Sequence, residues 1–424
     1  MWSDTQRASS AYFCHLMVAG LYGPYLSPVL LEAGYSHAHI GLWMAALSLA
    51  SAFAPYLVVH LSVRDSATKL LARRCAMFGL MLSMMLALWP QRPLLPLCMV
   101  ALACVRAPMG ALLDSVAMRA ASDMAGGYAL IRMWGSAGWV AAACGGGFLL
   151  AGAPRSVFFL VLVVLSGIAL ASTWVLPKVP AGAGDLTPEE PGALSRDMSH
   201  DPSGKKSGGV TAVVSSSPRP AADSSLWHHL DRPFCLWLAA MMLHWFAFAP
   251  YQYGFSLYLQ EAGVSQAHSG LIWSIGVVAE MVAFACASRV FACLTVTRVL
   301  LVALSSSALR WMLLALAPTL PVITISQLLH GPGFALYYAA AMHMLSVQAG
   351  PRHRLQFQGL FATLIGGVAA CSGTAVAGLL HNSLPFRSVF LLMVPIEVIA
   401  IVIFMRSRSA TSHPIGMTTA ADLF

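Results

Sequence analysis

Residues Glu32 to Leu42 read E-A-G-Y-S-H-A-H-I-G-L, and Glu261 to Leu271 read E-A-G-V-S-Q-A-H-S-G-L. The two stretches stand 229 residues apart, and the same offset carries His15 onto His244, Tyr22 onto Tyr251, Ser27 onto Ser256 and Leu30 onto Leu259. A register kept from His15 through Leu42 identifies an internal duplication. Both copies sit between long apolar runs and read in the same direction, which is the pattern of a membrane protein built from two parallel halves.

The composition agrees. Of 424 residues, 58% are hydrophobic and 9% are charged, whereas about a quarter of the residues of a soluble domain carry charge. Apolar runs of the length that crosses a bilayer fall near 10–31, 38–62, 70–90, 94–120, 128–152 and 155–177, and again near 233–260, 267–291, 299–318, 320–348, 355–380 and 386–406. With no water in the hydrocarbon core to satisfy backbone groups, runs this long must be helices. The expected fold is therefore an all-α membrane protein with twelve transmembrane helices in two parallel six-helix halves. The expected domains are an N-terminal six-helix bundle over 1–177, a linker over 178–231, a C-terminal bundle over 232–406 and a tail over 407–424. The linker, with P-A-G-A-G-D-L-T-P-E-E-P-G and S-S-S-P-R-P-A-A-D-S-S, is too polar to build a core and is expected to be disordered.

A net charge of +8 invites a nucleic-acid reading, but the charge distribution argues against it. With the N-terminus placed in the cytoplasm, only Arg92, Arg155 and Arg387 fall in outside loops, Arg106, Arg132 and Arg310 fall in spans, and the other 18 of 24 basic residues face inward. That is the positive-inside rule, and it predicts both termini and the linker in the cytoplasm of a protein of the cell inner membrane. The nine cysteines are scattered without a C-x-x-C or metal-ligand spacing, so neither a disulfide framework nor a metal site is expected.

Ionisable residues inside the spans are the functional candidates, because each costs roughly 2.5–3.5 kcal/mol at a helix centre. Asp114 and Arg132 lie nine residues before and after Asp123, in the turn between the fourth and fifth runs. At 1.5 Å per residue both reach the same depth, roughly 13 Å from that turn, and are placed to meet. The pair either locks two helices or belongs to a midplane substrate site. Arg310 and His330 share a depth in the same way, ten residues either side of Leu320. Arg310 cannot lose its charge and needs an acceptor, for which Glu280 and Glu397 are the available carboxylates. His15, His244 and His343 are read as polar residues satisfied by neighbouring helices or as a proton relay. Glu32 and Glu261 end their spans at an interface, where a helix-terminal or gating role suits them, and Arg106 is read as a structural partner. The chain shows no nucleophile, metal site or Gly-rich phosphate loop near an interface, so an embedded enzyme is not expected.

Several motifs carry a resemblance. R-M-W-G-S-A-G-W at Arg132 to Trp139 resembles the fifth-helix segment of the oligosaccharide:proton symporter (lactose permease) family of the major facilitator superfamily. Y-G-F-S at Tyr253 to Ser256, W-S-I-G-V-V-A-E at Trp273 to Glu280 and R-L-Q at Arg354 to Gln356 are similar to segments of the superfamily's 3-phenylpropionate permease branch. The loop at Arg64 to Arg74 resembles the superfamily's cytoplasmic motif without its glycines. The resemblance implies the major facilitator fold and transport by alternating access. It implies a substrate site of Asp114, Arg132, Trp139 and Glu280, with Trp134 extending the aromatic wall. It implies proton coupling through Glu280, Arg310 and His330, to which the reading of the spans adds Glu397 as the other available carboxylate. One departure is clear: the sugar symporters carry a proton-bearing glutamate three residues after the histidine, and here that position is Gly333. The resulting expectation is a proton-coupled symporter of a small organic acid resembling an arylpropionate, with a sugar or nucleoside as the alternative cargo. Its expected partners are that small molecule, protons and membrane lipids, with no nucleic acid and no cofactor, and it is expected to act as a monomer.

Overall fold

The computed structural model describes residues 2–62, 68–89, 94–121, 127–177 and 230–409. Most of the linker, the tail beyond residue 409, Arg92, Asp123 with its turn, and part of the Arg64–Arg74 loop lie outside the described residues.

Among those residues every regular element is helical. The first half contains α1 (Asp4–Glu32), α2 (His37–Ser62), α3 (Thr68–Leu88), α4 (Leu94–Ala120), α5 (Gly127–Leu150) and α6 (Ser156–Val175). The second begins with α7 (Arg232–Glu261), α8 (Gln266–Cys293) and α9 (Val296–Leu316). It continues with α10 (Leu320–Ser326), α11 (Tyr337–Ala362), α12 (Ala370–His381) and α13 (Phe386–Ser409). Eleven helices are long and apolar enough to cross a bilayer among the described residues.

The tenth expected span, 320–348, is not a single α-helix. It starts as α10, tightens into a 3₁₀ turn over Gln327–Leu329, widens into a π-helical stretch over Gly331–Leu336 and resumes in α11. Pro332 lies in the interruption, lacks an N–H for the ladder, and crowds the preceding turn. The eleventh span likewise passes through a π-helical stretch, Thr363–Ala369, before α12. α1 begins several residues ahead of its apolar run because Ser3 and Gln6 form a reciprocal capping box, which satisfies amides at the helix start.

The duplicated motif folds the same way twice. Gly34 (φ +82°) and Gly263 (φ +74°) follow α1 and α7 in the left-handed region that a Cβ disfavours. Tyr35 N–H then donates back to Leu30 O at 3.2 Å, and Val264 N–H to Leu259 O at 2.9 Å, closing both helix ends. Ser36 and Ser265 next start α2 and α8, each with its hydroxyl 2.7 Å from a histidine ring, His39 or His268. E-A-G-x-S-x-x-H is thus a stop–turn–start signal between two helices.

Within the halves, α1 packs on α4, α5 and α6, and α13 packs on α7 and α9. The halves meet where α2 crosses α12, α5 crosses α8 and α1 approaches α7. The hydrogen bonds joining them lie toward the end away from the termini. Ser27 donates to Tyr253 O (2.6 Å), Tyr253 donates to His37 O (3.1 Å), and Cys144 meets Ser274. Backbones touch there too: a Cβ on Gly41 would sit 2.5 Å from Gly378 Cα. Small residues at such crossings let membrane helices approach closely.

Candidate functional site

A cavity of about 810 Å³ lies between the halves, bounded by His15, Tyr22, Arg106, Trp139, Trp245 and Trp273 among others. Small-molecule sites typically fall in the range of about 300–1,000 Å³. Trp139 of α5 and Trp273 of α8 face each other across the halves with ring centroids 6.1 Å apart, and Trp273 is fixed by donating to Ser256 Oγ at 2.8 Å. Gly20 admits the Trp139 backbone against α1, where any Cβ would overlap the Trp139 carbonyl.

Asp114 and Arg132 do meet, at 3.9 Å. They lie on the terminus-facing side of the cavity. On α4, Asp114 is a turn beyond the lining residue Gly110, and on α5, Arg132 is two turns before Trp139. Two tyrosines complete the cluster. Tyr12 of α1 donates to Asp114 Oδ1, as does Tyr128 at 2.8 Å, and Arg132 Nη1 donates to the Tyr128 hydroxyl at 2.9 Å. Asp114 Oδ1 thus takes its hydrogen bonds from two phenols, while the Arg132 side chain, at the longer distance, stays 61% exposed with further N–H donors for an anion. Neither tyrosine was marked by the sequence patterns, because phenols are common at helix surfaces. The i, i+4 spacing of Tyr128 and Arg132 is a signal that would have found one of them.

Glu280, two turns along α8 from Trp273, faces the same side and lies within electrostatic reach of Arg132. His330 Nε2 approaches Glu280 Oε2 at 3.6 Å, and His330 Nδ1 is 2.9 Å from Arg310 Nη1. Glu280, His330 and Arg310 thus form a chain running from the space between the halves into the second half. Arg310 is completely enclosed. Its Nη2 donates to Gln327 Oε1 at 2.7 Å, and its guanidinium lies 3.9 Å over the Tyr251 ring. The strong acceptor that the buried arginine needs is thus the Gln327 amide, supported by the Tyr251 π-face, with no direct carboxylate contact among the described residues.

Glu397 belongs to a different cluster. Its carboxylate oxygens lie 3.0 and 3.1 Å from His244 Nδ1, and Oε1 also accepts from Trp311 Nε1 at 3.2 Å. Both side chains of the His244–Glu397 pair are fully buried. Arg106, the third arginine inside a span, donates to the His15 carbonyl at 2.9 Å. Trp134 lies outside the cavity lining, exposed and edge-on to Phe13. Glu261 accepts from Phe386 N–H at 2.9 Å and approaches His381 at 3.3 Å, while the His381 ring packs on that of His37 from the other half.

Comparison with known proteins agrees with the fold. Residues 6–392 match the model of the MFS_1 like family. Over 390 residues, 90% of this chain and 92% of the relative, it is 26% identical to the "Probable 3-phenylpropionic acid transporter" of Escherichia coli (strain K12). It is also 26% identical over 303 residues to the maltose permease of Geobacillus stearothermophilus, covering 70% of this chain and 68% of that protein. Among solved structures, the nucleoside transporter NupG superposes with a TM-score of 0.73 at 17% identity, covering 97% of this chain and all of that one. The POT family transporter PepTSo superposes with a TM-score of 0.70 at 12% identity, covering 96% and 98%.

Proposed function

Because this chain belongs to the MFS_1 like family of membrane transporters, we propose that it is a proton-coupled symporter that carries a small organic acid by alternating access. The observation that carries this reading is Arg132. It is a cation exposed between the halves, whose neighbouring carboxylate is already met by Tyr12 and Tyr128. A substrate carboxylate is the natural bidentate partner for its remaining donors. An aryl group would extend from there toward Trp139 and Trp273, whose faces suit an apolar ring. Glu280, His330 and Arg310 connect this place to the interior of the second half, so substrate occupancy and protonation can influence one another. Glu397 belongs to the same coupling machinery.

The halves are joined at the end away from the termini. With the termini in the cytoplasm, as the distribution of basic residues indicates, this is the inward-facing arrangement of a protein of the inner membrane. Rocking about the α2–α12 and α5–α8 crossings would exchange it for the outward-facing one. The boundaries proposed for the two bundles, 1–177 and 232–406, follow from this division, with 178–231 and 407–424 as cytoplasmic linker and tail. The transporter acts as a monomer on this reading.

Sugar is the second reading. It is favoured by the indole of Trp139 in the cavity wall, against which a pyranose ring would stack while Asp114 and Arg132 shared its hydroxyls. Proton entry into proteoliposomes separates the two. Uptake driven by 3-phenylpropionate and not by maltose supports the acid, the reverse supports the sugar, and silence with both removes proton symport of either.

A further inference from the structure

His244 has an acceptor at each ring nitrogen. Nδ1 faces the Glu397 carboxylate at 3.0–3.1 Å, and Nε2 faces the carbonyl oxygen of Gly333 at 3.2 Å. A neutral imidazole carries one N–H and one lone pair. If its proton is on Nε2 for the carbonyl, the Nδ1 lone pair confronts the carboxylate unless one more proton lies between them. That proton makes the pair either imidazolium–carboxylate or imidazole–carboxylic acid, and both have the same proton count and zero net charge. Without it, a bare negative charge would stand in a fully enclosed place, which is costly in a bilayer.

From this geometry we propose that His244 and Glu397 together are the proton-binding site of the transport cycle, and that the carbonyl of Gly333 is the switch that loads and unloads it. The proposal rests on the proton-coupled reading above and assigns its proton carrier. Gly333 lies in the π-helical interruption of the tenth span, Gly331–Leu336, and such bulges recur at functional positions. A Cβ at 333 would sit 2.5 Å from Ser307 Oγ, so a side chain there would require that hydroxyl to turn. With glycine at this position, the carboxylate facing His244 comes from Glu397 of α13, across the bundle.

The switch follows from proton counting. While Gly333 O is in place, the pair holds two protons, one on Nε2 and one shared with Glu397. When the interrupted span shifts and withdraws the carbonyl, it also opens the pair to water; a neutral imidazole then places its single proton on Nδ1 toward Glu397, the carboxylate keeps its charge in that water, and the shared proton leaves to it. The groups around the pair allow this. Tyr337 lies tilted against the His244 ring at 4.4 Å and donates to Met241 O, and Phe248 lies 6.1 Å from the ring. Trp311 Nε1 holds one carboxylate oxygen. The cation on α9 next to Trp311, Arg310, is turned to His330 and Gln327. Neighbouring residues on one helix thus touch the two clusters, giving the substrate side a mechanical connection to the proton side.

The test is Glu397→Gln in the full-length transporter. A glutamine amide can donate to Nδ1 and still accept from Trp311, so the variant mimics the loaded pair and preserves its hydrogen bonds. Two readouts are needed. In proteoliposomes with 3-phenylpropionate, the variant is expected to exchange substrate between equal pools while substrate-driven proton entry falls to the empty-liposome level. In proton titration of the purified protein, the variant is expected to take up one proton fewer than wild type as the carbonyl-withdrawn form is driven to the loaded one. Proton entry at the wild-type ratio, or a superposable titration, overturns the assignment. If wild type shows no proton entry with this acid, the substrate reading fails while the titration still decides the proton site. His244→Asn leaves Glu397 as the acid of the pair, so one-proton uptake is expected to persist there, and adding Glu397→Gln in that background must abolish it; an unchanged count in the double variant overturns the proposal as well.

Discussion

Cys144 Sγ of α5 and Ser274 Oγ of α8 lie 3.0 Å apart across the boundary between the two halves. A disulfide needs its sulfurs at about 2.05 Å, and a thiol in place of the hydroxyl starts about 1 Å from that. Ser274→Cys should therefore cross-link to Cys144 on mild oxidation and hold the halves together at the end away from the termini. Uptake should fall by at least tenfold with oxidant and return with dithiothreitol, whereas oxidant should leave wild type unaffected. Full uptake by the cross-linked protein would mean that this crossing does not open during transport.

Gly41 and Gly378 touch backbone to backbone at the neighbouring crossing of α2 and α12, with no space for a methyl group. Overpacking of this kind costs about 1–3 kcal/mol. Gly41→Ala should thus populate the arrangement in which this end has parted. The measurement is alkylation of a single cysteine at Ser27, whose hydroxyl is buried against Tyr253 in the closed arrangement. Its labelling rate should rise severalfold in Gly41→Ala, and an unchanged rate would show that the helices relax without separating the halves.

Arg132→Ala removes the exposed guanidinium while leaving Asp114 bonded to Tyr12 and Tyr128, so the helices should remain packed. A hydrogen bond to a charged group contributes about 1.5–3 kcal/mol, which sets the expected loss of affinity for 3-phenylpropionate at roughly ten- to a hundredfold. Calorimetric titration of the purified variant checks this. Retained affinity would remove Arg132 from the substrate site.

Glu280→Gln keeps the size of the side chain that His330 approaches at 3.6 Å and removes its charge. With the chain from Glu280 through His330 to Arg310 interrupted, equilibrium exchange of substrate should persist while accumulation against a gradient disappears. Accumulation at wild-type levels would exclude Glu280 from coupling.

Much of the architecture was legible because bilayer physics leaves few options. Long apolar runs must be helices, and the E-A-G-x-S-x-x-H repeat contains its own helix stop and start. Equal distances from a turn brought Asp114 and Arg132 to one depth, and the structure places them 3.9 Å apart. What the sequence left undecided was rotation about each helix axis. Depth alone could not tell that Glu397 turns to His244 and away from Arg310, or that Arg310 takes a glutamine amide and a tyrosine face. The interruption at Gly331–Leu336 was hidden for a related reason: Pro332 and its glycines are tolerated within membrane helices, so they mark a weak place without defining its geometry.

His15 and His244 occupy equivalent positions in the duplicated motif, yet one ring borders the cavity while the other is sealed against a carboxylate. The backbone has preserved its ancestry while the chemistry of the two copies has diverged. A chimera made of two first halves would inherit the stop–turn–start signals and the close helix crossings, but no counterpart of Glu397, since residue 168, at the corresponding offset, is isoleucine. The helix signals are thus shared by both copies, while the sealed histidine–carboxylate pair belongs to one alone.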